Sequence, residues 1–230
     1  MSAEFDRYAR DYENLLRDPI RDRFAAGAEF FHLRKWLVIQ DFLRRHSTRS
    51  KELCWLDVGC GRGELLHLGQ AHFRTALGCD PSAEMLRECE GLAVTHQPEP
   101  ARLPFDDRSF DFITAVCVYH HLGQAERVAL TDEARRVLRP GGLFAIFEHN
   151  PANPATRLVV GRAPVDSNAV LLRARESRRL MRAAGLAPLE TLYYLYLPQR
   201  LFEFAGRLER FLTRIPLGGQ YAVFGEKPLE

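Results

Sequence analysis

Leu56-Asp57-Val58-Gly59-Cys60-Gly61-Arg62-Gly63-Glu64 is the stretch that decides the fold. Leu53 to Val58 read as an apolar strand running into three glycines at alternate positions, with a helix starting near Glu64. Glycines at that spacing let the backbone turn sharply and bring its N–H groups against a polar ligand. A second strand ends at Gly78-Cys79-Asp80, with its acid at the tip. Strand, glycine turn, helix, strand and terminal acid is the order that holds an adenosine ribose. A phosphate cradle fits less well, because the loop is not GxxxxGK[ST] and offers only Arg62 as a cation.

Outward from this loop the chain alternates short apolar strands with amphipathic helices. Strands are expected at 53–58, 75–79, 93–96, 110–117 and 142–148. The unbroken run Phe112 to Val118 suits a parallel sheet covered on both faces. Residues 1–50 read as helices, with Pro19 in a first turn and Phe30, Phe31, Leu33, Trp36, Leu37 and Leu43 as an apolar face. After residue 150 come a loop rich in Pro and Asn, a helix at 176–184, a strand at 189–197, a helix at 200–214 and a last strand at 220–225. The expected organisation is one domain over 1–230: a helical lid (1–50), a ligand-binding core (51–150) and a substrate-side part (151–230).

Two further segments follow the glycine loop in a fixed order, and a third precedes it. The loop itself resembles motif I of the class I S-adenosylmethionine-dependent methyltransferases, of the small-molecule, type 11/12-like kind. Leu103-Pro104-Phe105-Asp106-Asp107-Arg108-Ser109-Phe110-Asp111 resembles that family's segment before strand four. Leu138-Arg139-Pro140-Gly141-Gly142-Leu143 resembles its turn before strand five. Phe5-Asp6-Arg7-Tyr8-Ala9-Arg10-Asp11-Tyr12 is similar to the start of many small-molecule members. The resemblance implies an α/β fold: a Rossmann-like seven-stranded mixed sheet flanked by helices, with an N-terminal helical cover and a helix inserted before the last strand.

The resemblance also implies S-adenosylmethionine as cofactor, leaving S-adenosylhomocysteine as product. Its site would be built from Asp57, Gly59, Cys60, Gly61, Gly63, Asp80, Pro81, Met85 and Cys117, with Tyr8 and Tyr12 closing over it. Asp80 would accept from the ribose hydroxyls, and Pro81 also suits it as a helix cap. Tyr8 and Tyr12, four apart, would share one helical face. At the adenine end the chain departs from the family, since Pro100 has no N–H to offer the ring. Glu99 and Ala101 are the candidates there. His120 and His149, at the ends of strands four and five, are the candidates for general base or substrate binder, and His121 resembles a residue with a structural role. His120, His121, Glu148 and His149 suggest a metal site only weakly, because neighbours on a strand point apart. No metal is expected.

Composition narrows the partners. With 32 basic and 30 acidic residues the net charge is +2, and no basic run interleaved with aromatics tracks a strand, so no nucleic-acid partner is expected. Five cysteines without paired spacing and a charged N-terminus point to free thiols and a cytoplasmic location. Residues 157–215 hold eleven arginines and no lysine, and Leu201, Ala205, Leu208, Leu212 and Ile215 form an apolar stripe flanked by Arg200, Arg207, Arg210 and Arg214. Such a helix more often packs its stripe on the fold, but it can also lie on an anionic membrane or admit a lipid-like substrate. The leading expectation is methyl transfer to a small-molecule acceptor, O-methylation favoured. The alternatives are C-methylation of a quinone or lipid-like intermediate at a membrane surface, and cofactor binding without turnover.

Overall fold

A computed structural model describes residues 2–46 and 48–229. Seven strands form one sheet in the order β3-β2-β1-β4-β5-β7-β6. They are β1 (Cys54–Val58), β2 (Thr75–Asp80), β3 (Val94–His96), β4 (Phe110–Val116), β5 (Leu138–His149), β6 (Ala187–Tyr194) and β7 (Gln220–Glu226). Only β7 runs against its neighbours, pairing antiparallel with both β5 and β6. Strand β5 begins earlier than the sequence suggests: Leu138 pairs with Phe110 and Leu143 with Phe112, so the Pro-Gly-Gly segment is carried as an irregularity inside the strand.

Ten helices accompany the sheet among the described residues: α1 (Ser2–Tyr8), α2 (Tyr12–Leu15), α3 (Pro19–Phe24), α4 (Ala28–Arg45), α5 (Glu64–Gly69), α6 (Ala83–Arg87), α7 (Gln124–Val137), α8 (Pro154–Val160), α9 (Ala174–Ala183) and α10 (Gln199–Glu209). Alternate residues along each central strand feed different helix layers. Ile113, Phe144, Ile146, Tyr221 and Val223 join the core of α7 and α9. Phe112, Ala145, Phe147, Ala222 and Phe224 join that of α4 and α5. Phe42 of α4 stacks on Phe224 of β7 at 3.8 Å with no exposed surface. Truncating such a ring costs about 3–5 kcal/mol.

Helix α4 departs from the expected face. Leu33 is 39% exposed, whereas Arg34 and Lys35 are buried. The reason is tertiary: Arg34 meets Glu209 at 2.8 Å and Lys35 lines the cavity described below. Helix α3 starts as expected, with Pro19 in its first turn and the Asp18 carboxylate accepting from Ile20 N at 2.8 Å.

Candidate active site

Strand order reverses between β1 and β4, and a crevice opens there beyond the carboxyl ends of the strands. It is a cavity of about 290 Å³. Asp57, Gly59, Cys60, Gly61, Asp80, Pro81, Met85, Cys117, Tyr12 and His149 all line it, as does His121. Gly63 instead caps α5 in the left-handed conformation, φ +78°.

Two glycines show why the loop needs them. Gly59 has φ +67°, and a Cβ there would sit 2.4 Å from Val118 Cγ2. Gly61, φ +55°, faces open space, where a Cβ would approach only Glu64 Oε2 at 3.9 Å. Asp80 ties the loop to β2: Gly61 N donates to its Oδ2 at 2.9 Å and Ser82 N to its Oδ1 at 2.8 Å. Each oxygen keeps a lone pair for a ligand. Burial pushes the Asp80 carboxyl up against these hydrogen bonds. Asp57 sits deeper, accepting from Thr114 Oγ1 at 2.6 Å, which in turn accepts from Trp55 Nε1 at 2.9 Å. Burial pushes Asp57 up to about 7, opposed by the Thr114 bond and by the charge of Lys35.

At the N-terminus the helix breaks where continuity was expected. α1 ends at Tyr8 and a 3-10 turn spans Ala9–Asp11, so Tyr8 and Tyr12 do not share a face. Phe5 and Tyr12 line the cavity, while Tyr8 packs edge-on against Phe5 at 6.1 Å. Asp6 fastens this segment over the site: its Oδ1 accepts from Ser82 Oγ at 2.6 Å and Glu84 N at 3.3 Å. At the far end Gln97 and Pro100 line the wall, rather than Glu99 and Ala101. Gln97 Nε2 donates to the Glu99 and Pro100 carbonyls at 3.2 and 2.9 Å, folding that loop so that Glu99 faces solvent.

The histidines rearrange most. Tyr119–His121 is a 3-10 turn rather than strand, so the rings of His120 and His121 lie together, 4.0 Å apart, instead of alternating. His120 is 1% exposed and stands behind the cavity wall, not in it. Its Nδ1 is 2.6 Å from Glu148 Oε2 and its Nε2 3.3 Å from Asp166 Oδ1. Burial works against an imidazolium, but the two carboxylates outweigh it and hold His120 well above the usual histidine range. His121 and His149 feel the opposite: burial, then the His120 charge, push each down to about 4. His149 Nδ1 is 3.3 Å from Gln220 Nε2, and Gln220 Oε1 accepts from Tyr194 Oη at 2.8 Å. Ligand atoms of His120, His121 and Asp166 fall within 4.8 Å of one another, a spacing open to a metal ion that the ion pairs of His120 equally fill.

Sequence reasoning missed Lys35, His32, Gln97, Gln220 and Asp166, four of which line the cavity while Asp166 backs it. No local motif marks them. Cys117 and Leu195, both on the wall, adopt left-handed φ of +57° and +62°, a strain that non-glycine residues keep only where the surroundings impose it. An apolar stretch of wall is built from Leu16, Ile20, Phe24, Phe31, Val159 and Val160, with the Arg21 guanidinium over the Phe31 ring at 4.8 Å. Arg62, Glu64, Asn153 and Thr156 also line the cavity.

Residues 56–146 match the protein family described as a methyltransferase domain. The Bos taurus protein named Probable tRNA methyltransferase 9B is 30% identical over 143 residues, 58% of this chain and 29% of that protein. The Xenopus tropicalis tRNA (carboxymethyluridine(34)-5-O)-methyltransferase alkbh8 is 30% identical over 140 residues, 60% of this chain and 21% of its own. The chain thus spans less than a third of these curated relatives. Of solved structures, a SAM-dependent methyltransferase from Thermotoga maritima, described as a possible histamine N-methyltransferase, superposes with TM-score 0.71 at 19% identity, over 99% of this chain and 100% of that one. A chain from a complex of the Haloferax volcanii Trm112 methyltransferase activator with a methyltransferase gives TM-score 0.67 at 21% identity, over 100% and 98%. At such identities these likenesses establish the fold.

Proposed function

The chain carries a methyltransferase domain on the class I S-adenosylmethionine-dependent fold, and from that premise we propose that it methylates a small acceptor with a largely apolar body, at oxygen. The fold and domain imply S-adenosylmethionine, and the residues present fit it. Asp80 would hold the ribose hydroxyls, the open face of Gly61 leaves room for the nucleoside, and Asp57 and Lys35 would meet the amino-acid ammonium and carboxylate. When bound, the cofactor supplies an electrophilic methyl on a sulfonium.

The observation that carries the acceptor class is the continuity of one cavity from Asp80 to the apolar wall of Ile20, Phe24, Phe31 and Val160. Methyl transfer is an in-line displacement, and positioning supplies most of its acceleration. His121 and His149 line the same cavity and, pushed down to about 4, are neutral at pH 7, so either could accept a hydroxyl proton, though as a weak base. The Phe5–Tyr12 segment, pinned by Asp6, would keep water from the reaction.

A second reading has a specific basis: the relatives above are named for tRNA methylation, one of them at an oxygen, so tRNA is the rival acceptor, with a Trm112-like activator as its partner. Both are tested by transfer of tritiated methyl from S-adenosylmethionine into a cell extract divided into aqueous small molecules, organic-soluble material and tRNA. Label in the organic-soluble material supports the proposal, whereas label in aqueous small molecules keeps a small acceptor but removes its apolar body. Label in tRNA alone replaces it with the second reading. No label beyond that given by an Asp80→Ala control reduces the chain to a cofactor-binding module.

A further inference from the structure

Helix α10 is mounted with the Glu209 carboxylate and Phe202 inward, and its arginines outward. Glu209 is 2% exposed and bound to Arg34 at 2.8 Å, and it accepts from Tyr196 N at 3.1 Å. Phe202, on the same side, lies under the Arg34 guanidinium at 3.6 Å and beside Phe30 at 5.7 Å. The apolar stripe is left outside: Leu201, Phe204, Leu208 and Phe211, spaced three, four and three apart, are 53%, 93%, 62% and 72% exposed. Ile215 and Leu217 extend the stripe into the following turn. Burying Phe204 or Leu208 against the fold would have required Glu209 and its arginine partner to face water instead.

This segment is not loosely held. Tyr193 N donates to Thr213 O at 2.7 Å, and the Tyr196 hydroxyl donates to Leu212 O at 2.7 Å and also to Ile215 O. Gln199 Oε1 accepts from Ala26 N at 3.0 Å, joining the start of α10 to the connection between α3 and α4. The fold therefore presents the stripe as a fixed, outward ridge.

Charge selects what covers it. At 100° per residue Arg200 and Arg207 fall on one flank of the stripe, with Arg210 beyond them and Arg214 in the turn. All four are exposed, and Glu203, bonded to Gln199, is the one acid among them on the outer surface. A protruding row of Phe and Leu beside a row of arginines is the pattern of a helix lying in a lipid headgroup region. We propose that α10 and the turn after it dock this protein on an anionic lipid surface, Phe204, Leu208 and Phe211 entering the acyl boundary while the arginines meet headgroup phosphates. Because Phe202 touches Phe30, and Phe24 and Phe31 line the cavity, docking brings the cavity's apolar wall toward the lipid. The docking proposal does not depend on the acceptor.

The test is flotation of the full chain with vesicles of phosphatidylcholine, alone or mixed with phosphatidylglycerol. The chain is expected to float with the mixed vesicles and not the neutral ones, and to dissociate as salt is raised. Phe204→Ser with Leu208→Ser abolishes flotation, and each of Arg200→Gln and Arg207→Gln weakens binding about fivefold. Near-ultraviolet circular dichroism checks that every variant keeps its packing, independently of cofactor binding. Failure to float with either vesicle, equal flotation with both, or a dimer in solution that the double serine variant converts to monomer overturns the proposal. In the last case a second copy of the chain covers the ridge.

Discussion

Glu148 grips His120 on two sides of one turn: its Oε2 lies 2.6 Å from the ring Nδ1, and its Oε1 accepts from the His120 amide at 3.3 Å and the Tyr119 amide at 2.8 Å. Both side chains are buried, so each charge depends on the other. Glu148→Gln leaves a buried imidazolium with Asp166 alone, and removing one partner of such a pair costs about 3–5 kcal/mol. Urea unfolding at pH 6 measures this. A loss under about 1 kcal/mol would mean that the pair is not charged.

His121 and His149 carry the opposite sign. Their folded pKa, about 4 each, lies below the unfolded value of about 6.5, so the unfolded chain binds more protons between those values. Their stabilising contribution is full above pH 6.5 and declines by about 1.4 kcal/mol per pH unit for each histidine as pH falls toward 4. His120, held high, contributes stability below pH 6.5 that is lost only as pH rises through its own folded pKa. His149→Asn should therefore flatten the stability profile between pH 6.5 and 4. An unchanged slope would place the titration elsewhere.

Catalysis should follow the same groups. With either neutral imidazole taking the acceptor proton, kcat at saturating cofactor stays flat from pH 6 to 8 and falls only as the pH approaches about 4. A midpoint near 6.5 would rule out both histidines as placed.

Asp57 predicts a pH dependence of cofactor affinity instead. Its carboxyl, pushed up to about 7, is protonated in the free protein below that pH, and meeting an ammonium requires the charged form. Affinity for S-adenosylhomocysteine should weaken about tenfold for each unit below pH 7 and level off above it. Titration calorimetry in two buffers of different ionisation enthalpy reads the released proton directly. Asp57→Asn should bind more weakly, with no pH dependence in this range.

Asp80→Ala should weaken S-adenosylhomocysteine by about 1–3 kcal/mol, the scale of hydrogen bonds to a charged group. It also removes the anchor of Gly61 N, so the same variant should lower the melting temperature without added ligand. Unaltered affinity by calorimetry would remove Asp80 from the ribose site.

Asp6→Ala tests the cover. It frees α1 from Ser82 and Glu84, so amide exchange over residues 5–12 should quicken while β1 and β4 stay protected. Equal exchange in the variant would mean that other contacts hold the segment.

Motif and fold were legible in the sequence because contiguous residues encode them. The strand into Gly59, Gly61 and Gly63 and the acid at Asp80 are backbone requirements written at fixed local spacing, and the unbroken apolar run along β4 announces a sheet covered on both faces. Local spacing placed Tyr8 and Glu99 where the wall instead has Phe5 and Gln97: the break at Ala9–Asp11 ends the face Tyr8 would share with Tyr12, and a side-chain-tied loop turns Glu99 to solvent. Strand ends brought Glu148 near His120 in the sequence reading, but not as its ion-pair partner, and Asp166, 46 residues from His120, could not be read at all, since burial alone makes the three interdependent. Periodicity gave α10 a stripe without a direction. Which side faced the protein was settled by Arg34, a residue of α4 that only folding brings to Glu209, because a buried charge must have its partner while an apolar side chain can be left in water at far smaller cost.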